Sequence, residues 1–299
     1  MRARLLQDRY LYGLLVPFVV WYVLFQYKPL YGLLIAFQDF SLFKGIEGSP
    51  WVGFEHFEAF FTGPYFWRTL KNTFLLSLYQ LVFAFPFPII LALLLNEVRR
   101  LAFKKIVQTL TYLPHFISVV IVAGLVTNLL APSNGLVNIL IEKLGGEKIY
   151  FLIHPDYFRT IFIASMDIWK EAGFATIIYI AALSGVNPSL YEAAVIDGAN
   201  RWKQTWHVTL PAILPTVAIM LIMKVGQLLE VGYEAIILLY QPSTYETADV
   251  ISTYVYRTGL QEGNYDLATA VGMFNGVVAL ILVIFANKVS KKLTDTGLW

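Results

Sequence analysis

Six stretches of this chain, at about residues 11–37, 69–95, 106–130, 158–183, 211–240 and 268–287, each stay apolar for the length of a membrane-spanning helix. About 20 mostly apolar residues cross the hydrocarbon of a bilayer as a helix. In that medium backbone polar groups must be satisfied without water, so the fold class is an all-α polytopic membrane protein with six transmembrane helices. The mean hydropathy of +0.63 agrees, as does a charged fraction of 14%, where soluble domains carry about a quarter. The first stretch follows Arg2, Arg4 and Arg9 as a secretory leader would, but it runs on past Lys28-Pro29 into LYGLLIAF with no small-residue cleavage pattern. It reads as a retained, kinked span. Cysteine is absent, which excludes disulfides, thiol nucleophiles and cysteine metal sites.

Positive charge stays on the cytoplasmic side of a membrane, so the connecting segments set the orientation. Twelve lysines and arginines fall before the first stretch, in the 96–105 loop, in the polar segment between the fourth and fifth stretches, and in the tail; seven fall on the other side. Both termini and the 184–211 segment are therefore expected in the cytoplasm. The outer loops hold 11 carboxylates, so an acidic outer face opposes a basic inner one. Anionic membrane lipid is the partner such an inner face meets, and no nucleic acid is implied. The organisation expected is residues 1–68 as an N-terminal segment, first span and outer segment, 69–287 as a core of five spans, and 288–299 as a cytoplasmic tail. Within 38–68, WVGFEHFEAFF spaces its aromatics as an interfacial helix, either a membrane anchor or a substrate-contacting patch.

The segment Tyr191–Pro215, YEAAVIDGANRWKQTWHVTLPAILP, is a polar island between two apolar stretches. Asn187-Pro188 is a helix start, since asparagine caps free amides and proline suits the first helical position. A short helix should run to about Ile196. Asp197-Gly198 then turns, because glycine accepts the positive φ common at helix ends. Asn200 should cap a second helix with Trp202, Trp206 and Leu210 on one face, and Pro211 and Pro215 should mark re-entry into the membrane. Ala193, Ala194 and Ala199 carry little bulk, so a partner could approach the backbone closely. An amphipathic linker is the plainer reading of such a loop.

Glu192-Ala193-Ala194, Asp197-Gly198-Ala199 and Leu210-Pro211 resemble the EAA motif of permease subunits of bacterial ATP-binding-cassette importers, with Val208 standing where that family usually has isoleucine. The resemblance covers nearly the whole chain and is similar to the carbohydrate-uptake branch. The opening LVPFVVWYVLFQYKPLYGLLIAFQDF with WVGFEHF resembles permeases for oligosaccharides released from plant or algal polysaccharides. It implies a type I importer permease fold in the inner membrane and half of a translocation pore. It further implies a second homologous permease, two ATP-binding subunits that carry ATP and Mg, and an extracytoplasmic solute-binding protein. Glu192, Ala193, Ala194, Asp197, Gly198 and Ala199 inherit the role of docking into the ATPase and coupling its closure to the spans.

Charged groups within hydrocarbon are costly and face protein or water-filled interiors. The fourth stretch carries Asp167, Trp169, Lys170 and Glu171; the fifth carries Lys224, Gln227, Glu230 and Glu234 at helical spacing, and also Tyr233; Asn275 lies in the sixth. As a set they read as a polar substrate path, with Trp169 and Tyr233 as stacking surfaces; singly, they read as pairs that pack helices, Asp167 with Lys170 and Lys224 with nearby carboxylates. A pair such as Glu230 and Glu234 also suits an ion-coupled secondary transporter, which has no need of the EAA island. His56, His115, His154 and His207 are scattered without HExxH spacing, and neither GxSxG nor a Walker A loop occurs. An intramembrane enzyme is the weakest reading, and energy from ATP must arrive through a partner.

Overall fold

The computed structural model describes residues 9–294 and 296–298. Arg2 and Arg4 of the charge count lie outside them. Among the described residues the regular structure is helical, with an isolated antiparallel bridge between Gln38 and Trp51. In order come α1 (Tyr10–Phe37), α2 (Glu55–Thr62), α3 (Phe66–Glu97), α4 (Leu101–Phe116), α5 (Val119–Leu129), α6 (Leu136–Lys143) and α7 (Pro155–Ser184). There follow α8 (Pro188–Ile196), α9 (Arg201–Gly226), α10 (Tyr233–Leu239) and α11 (Tyr265–Thr294). Four helices, α1, α3, α9 and α11, are long and apolar enough to span a membrane, and up to six spans result if the bent pairs α4–α5 and α7–α8 each count as one.

The chain divides into two compact units. One holds the residues up to Gly63 together with Val255–Phe274. There Phe37, at the end of α1, stacks on Trp51 with ring centroids 5.4 Å apart and meets Phe54 and Phe57. Phe60 and Phe61 pack on Phe274. Much of the aromatic stripe of WVGFEHFEAFF is thus spent on internal packing, while Trp51 and Phe54 keep exposed faces. The most apolar window of α1 buries nothing within the chain.

The second unit holds Pro64–Tyr254 and the chain from Asn275 onward. Its axis is the pairing of α3 with α7. Toward one end, Leu76 of α3, Phe162 and Met166 of α7, Val122 of α5 and Ile236 of α10 share a core. Toward the other, Ala92 of α3, Tyr179 and Leu183 of α7 and Ile213 of α9 share a second.

Two of the six spans differ from the sequence expectation. The third, read as continuous over 106–130, turns through 102° between α4 and α5. Pro114 lacks an N–H, Ile117 is extended, and the Ser118 hydroxyl caps α5 by accepting from Ile121 N at 3.4 Å, so a new helix starts where the old one stops. The fifth, expected over 211–240, instead begins at Arg201 and ends at Gly226, and α10 resumes at Tyr233. The helix that Asn200 caps therefore runs straight on into the span, passing Pro211 and Pro215 after a widened π turn at Thr205–Thr209. At the far end the carbonyls freed between Gln227 and Gly232 find donors elsewhere. Ser77 Oγ donates to Leu228 O, Asn275 Nδ2 to Leu229 O at 3.3 Å, and Ser252 Oγ to Val231 O at 3.0 Å. Buried backbone groups that leave a helix need partners of this kind.

A buried polar staple closes the end of α3 that lies nearest its start. Arg68 Nη2 donates to Asp249 Oδ2 at 2.6 Å, and Thr253 Oγ1 donates to Asp249 Oδ1 at 2.9 Å. Asn72 Nδ2 donates to the carbonyls of Glu246 and Asp249, and Arg159 Nη2 of α7 donates to Asn72 Oδ1 at 2.8 Å. Asp249 is wholly buried, and removing one partner of a buried pair is costly because the other is left uncompensated. Asp249→Ala is expected to lower stability by about 3 kcal/mol, read as a fall in the unfolding midpoint of the detergent-solubilised chain. An unchanged midpoint would show that the staple contributes nothing.

Candidate functional site

The polar island folds as local chemistry predicts. Asn187 Oδ1 accepts from Ser189 N at 3.0 Å and starts α8. Gly198 adopts φ of 74°, which a side chain would strain, and reverses the chain. Asn200 Oδ1 accepts from Lys203 N at 2.9 Å and starts α9. α8 lies at 69° to α7, and the Tyr191 hydroxyl bonds the Thr209 hydroxyl at 3.0 Å, tying the two arms of the hairpin together. Ala193, Ala194, Asp197 and Ala199 line a cup of about 500 Å³ with Lys203 and His207, while Glu192 and Gly198 are exposed beside it. Ile196 is 86% exposed and Val195 60% at the tip.

The intramembrane polar residues separate into two groups. Asp167, Glu171, Lys224 and Gln227 line one cavity of about 360 Å³, together with Tyr179, Met220 and Met223. Asp167 accepts two bonds of 3.1 Å from Gln80 Nε2. Gln80 opens a π-helical turn, Gln80–Ala84, and Asp167 sits in another, Ile163–Ala172. Such widened turns recur at functional sites. Glu171 is compensated on both sides, by Lys170 Nζ and by His115 Nδ1 at 2.7 Å. The His115 ring stacks on Phe174 at 4.0 Å. Lys170 is buried and also donates to His115 O at 3.4 Å. Lys224 forms no salt bridge among the described residues, which leaves its ammonium available to the cavity.

The remaining candidates lie apart. Trp169, Glu230, Tyr233 and Glu234 are exposed outside this cavity. Lys224, Gln227, Glu230 and Glu234 were expected on one helical face, but the break after Gly226 takes the last two off it. Asn275 holds the Leu229 carbonyl. Gln80 and His115 are the residues the sequence reading missed. Gln80 could have been found as a lone amide in an apolar run, whereas the contact of His115 with Glu171 has no local trace.

Residues 84–295 match the family described as binding-protein-dependent transport system inner membrane component. The chain belongs to that family. It is 49% identical over 296 residues to the polygalacturonan/rhamnogalacturonan transport system permease protein YteP of Bacillus subtilis (strain 168), covering 99% of this chain and 92% of that protein. It is 44% identical to protein LplB of the same organism, covering 99% and 93%. Among solved structures, a chain of a bacterial ABC transporter involved in the import of the acidic polysaccharide alginate superimposes with a TM-score of 0.91 at 52% identity, covering 98% of both chains. Another, from a bacterial alginate ABC transporter in complex with alginate pentasaccharide-bound periplasmic protein, gives 0.92 at 51% identity, covering 100% of this chain and 99% of that one. This permease is thus a membrane subunit of an ATP-binding-cassette importer with the all-α type I fold, and a transporter component in place of an enzyme. No observation favours an ion-coupled carrier.

Beside the cavity, α7 crosses α4 at contact distance. A Cβ built on Gly173 would lie 1.9 Å from Thr111 O, so the backbones meet only because residue 173 has no side chain. Forcing extra atoms into a packed site costs about 1–3 kcal/mol. Gly173→Ala should push α4 away from α7, lower the unfolding midpoint and strain the His115–Glu171 contact. A variant with wild-type stability and transport would show that the helices separate freely.

Proposed function

We propose that this permease forms half of an alternating-access pore for an acidic oligosaccharide, with the hairpin Pro188–Gln204 as its coupling element and the cavity at Lys224 on the substrate path. The observation that carries this reading is that the two helices flanking the hairpin are also the walls of the cavity. α7 leads into the hairpin and supplies Asp167 and Glu171; α9 leads out of it and supplies Lys224, with Gln227 at its end. A tilt at the hairpin therefore changes the cavity without any intermediary. The names of the relatives support the cargo, since polygalacturonan, rhamnogalacturonan and alginate all contain uronate sugars. Lys224 offers a cation that offsets the Asp167 carboxylate in the same cavity and can meet a sugar carboxylate, Gln227 offers polar groups to hydroxyls, and Glu171 is already paired with Lys170.

In this reading a second, homologous permease completes the pore, and two ATP-binding subunits hold ATP and Mg. An extracytoplasmic solute-binding protein delivers the sugar. Both termini and the 184–211 loop face the cytoplasm, with 1–68 preceding the core and 288–299 as the tail. Glu192, Ala193, Ala194, Asp197, Gly198 and Ala199 meet the ATPase, and the exposed Val195 and Ile196 extend that contact. ATP-driven closure then biases an equilibrium between inward-facing and outward-facing forms.

Gly198→Pro cannot adopt the observed φ, and Glu192→Arg reverses the charge beside the cup. Both should leave membrane insertion intact and cut uptake by about tenfold or more, the worth of about 1.4 kcal/mol in the ATPase contact. Uptake in membrane vesicles and copurification of the ATPase measure this; wild-type values for both would sink the coupling role. The path is tested separately. Lys224→Ala should reduce uptake of a uronate oligosaccharide about tenfold, with Lys224→Arg partly restoring it, since a hydrogen bond to a charged group is worth about 1.5–3 kcal/mol. Equal uptake by all three would remove the cavity from the path.

A further inference from the structure

Away from the cavity, α3 and α9 enclose an apolar groove of about 590 Å³. Ile90 and Leu94 form one wall, Trp202 and Trp206 the other, and the pair Glu97–Arg201, 2.5 Å apart, closes one end. Trp202 is 74% exposed and Trp206 61%. The groove runs along α3 from Pro86 to Glu97, a length of about 16 Å at the helical rise. That is half of a hydrocarbon core of about 30 Å, one leaflet. A transmembrane helix of a partner would need a face running the full width, whereas an acyl chain needs only this length. The tryptophans stand beside the charged end, as they do at the headgroup level of membranes. Arg99 and Arg100 follow Glu97 by two and three residues, are exposed, and form no ion pair among the described residues. Arg201 gives one side of its guanidinium to Glu97 and keeps further N–H donors.

We propose that this groove binds an anionic glycerophospholipid, one acyl chain lying between α3 and α9 and the phosphate held by Arg201 with Arg99 and Arg100. Anionic headgroups suit a cluster of arginines at the membrane surface, and a planar guanidinium matches phosphate geometry. The site is independent of the cargo assigned above. It also brings lipid to the first turn of α9, where the hairpin ends, so an occupied groove would brace the joint between hairpin and span.

The full-length permease, expressed with its own transport complex, is reconstituted into nanodiscs of phosphatidylglycerol or of phosphatidylcholine and analysed by native mass spectrometry. The expected result is one retained phosphatidylglycerol per permease and no retained phosphatidylcholine. Ile90→Trp, which fills the groove, should lower retention at least fivefold. Arg99→Gln with Arg100→Gln, a surface change that leaves the core untouched, should lower it in the same direction and keeps the test valid should Ile90→Trp fail to fold. Equal retention of both lipids, or undiminished retention in the arginine double variant, overturns the proposal. So does a benzophenone placed at Leu94 that crosslinks to a second polypeptide instead of to lipid.

Discussion

Every buried carbonyl and amide that a helix releases must be taken up by another group, and the second unit holds one place where this is done by three neighbours. Between Gln227 and Gly232 the backbone leaves the helix, and Ser77, Asn275 and Ser252, from three different segments, each donate to one freed carbonyl. An unmet polar group in such surroundings costs several kcal/mol, on the order of 2–7. The break therefore exists only because α3, α11 and the segment before α11 converge on it. Lys224 and Gln227 lie at its edge, so the cavity takes its polar wall from the end of a helix that three neighbours hold open.

The same logic governs charge. Asp249 is buried because Arg68 and Thr253 meet both of its oxygens, and Glu171 is tolerated because Lys170 and His115 meet both of its own. The contact of Glu171 with His115 joins α7 to α4, while the expected pair of Asp167 with Lys170 does not form: Lys170 meets Glu171, its neighbour on the same helix. Asp167 and Lys224 stand differently. Asp167 has the neutral amide of Gln80 as its direct partner, and both Asp167 and Lys224 line the cavity.

How much of this was legible in the sequence depends on how local each cause is. The hairpin was read almost in full, because Asn187, Gly198 and Asn200 act on groups within three residues of themselves. Four spans were placed within a few residues, since apolar length alone decides them. The breaks at Ile117–Ser118 and Gln227–Gly232 were not legible, because hydropathy registers apolar content and is blind to where hydrogen bonds go. Pro211 and Pro215 suggested an end to a helix that in fact continues: a π turn just upstream absorbs the irregularity. The Gln80–Asp167 and His115–Glu171 pairs join residues 87 and 56 positions apart, a separation that no spacing rule within one helix covers.

The widened turns bear on whether the flanking helices could carry motion. From the end of the hairpin at Gln204, α9 runs 20 residues to Lys224, about 30 Å at the helical rise, and α7 covers the 13 residues from Glu171 to Ser184, about 20 Å. Two unequal arms rising from one hairpin would move their far ends by different amounts under the same tilt. A cavity whose carboxylates ride on the short arm and whose lysine rides on the long one would then change shape instead of shifting as a block. The π turns at Ile163–Ala172 and Gln80–Ala84 lie where the short arm meets α3, and the bond between Gln80 and Asp167 joins them. Strain entering along α7 from Ser184 therefore meets the close backbone contact at Gly173 before it reaches the widened turn at Ile163–Ala172 beside the cavity.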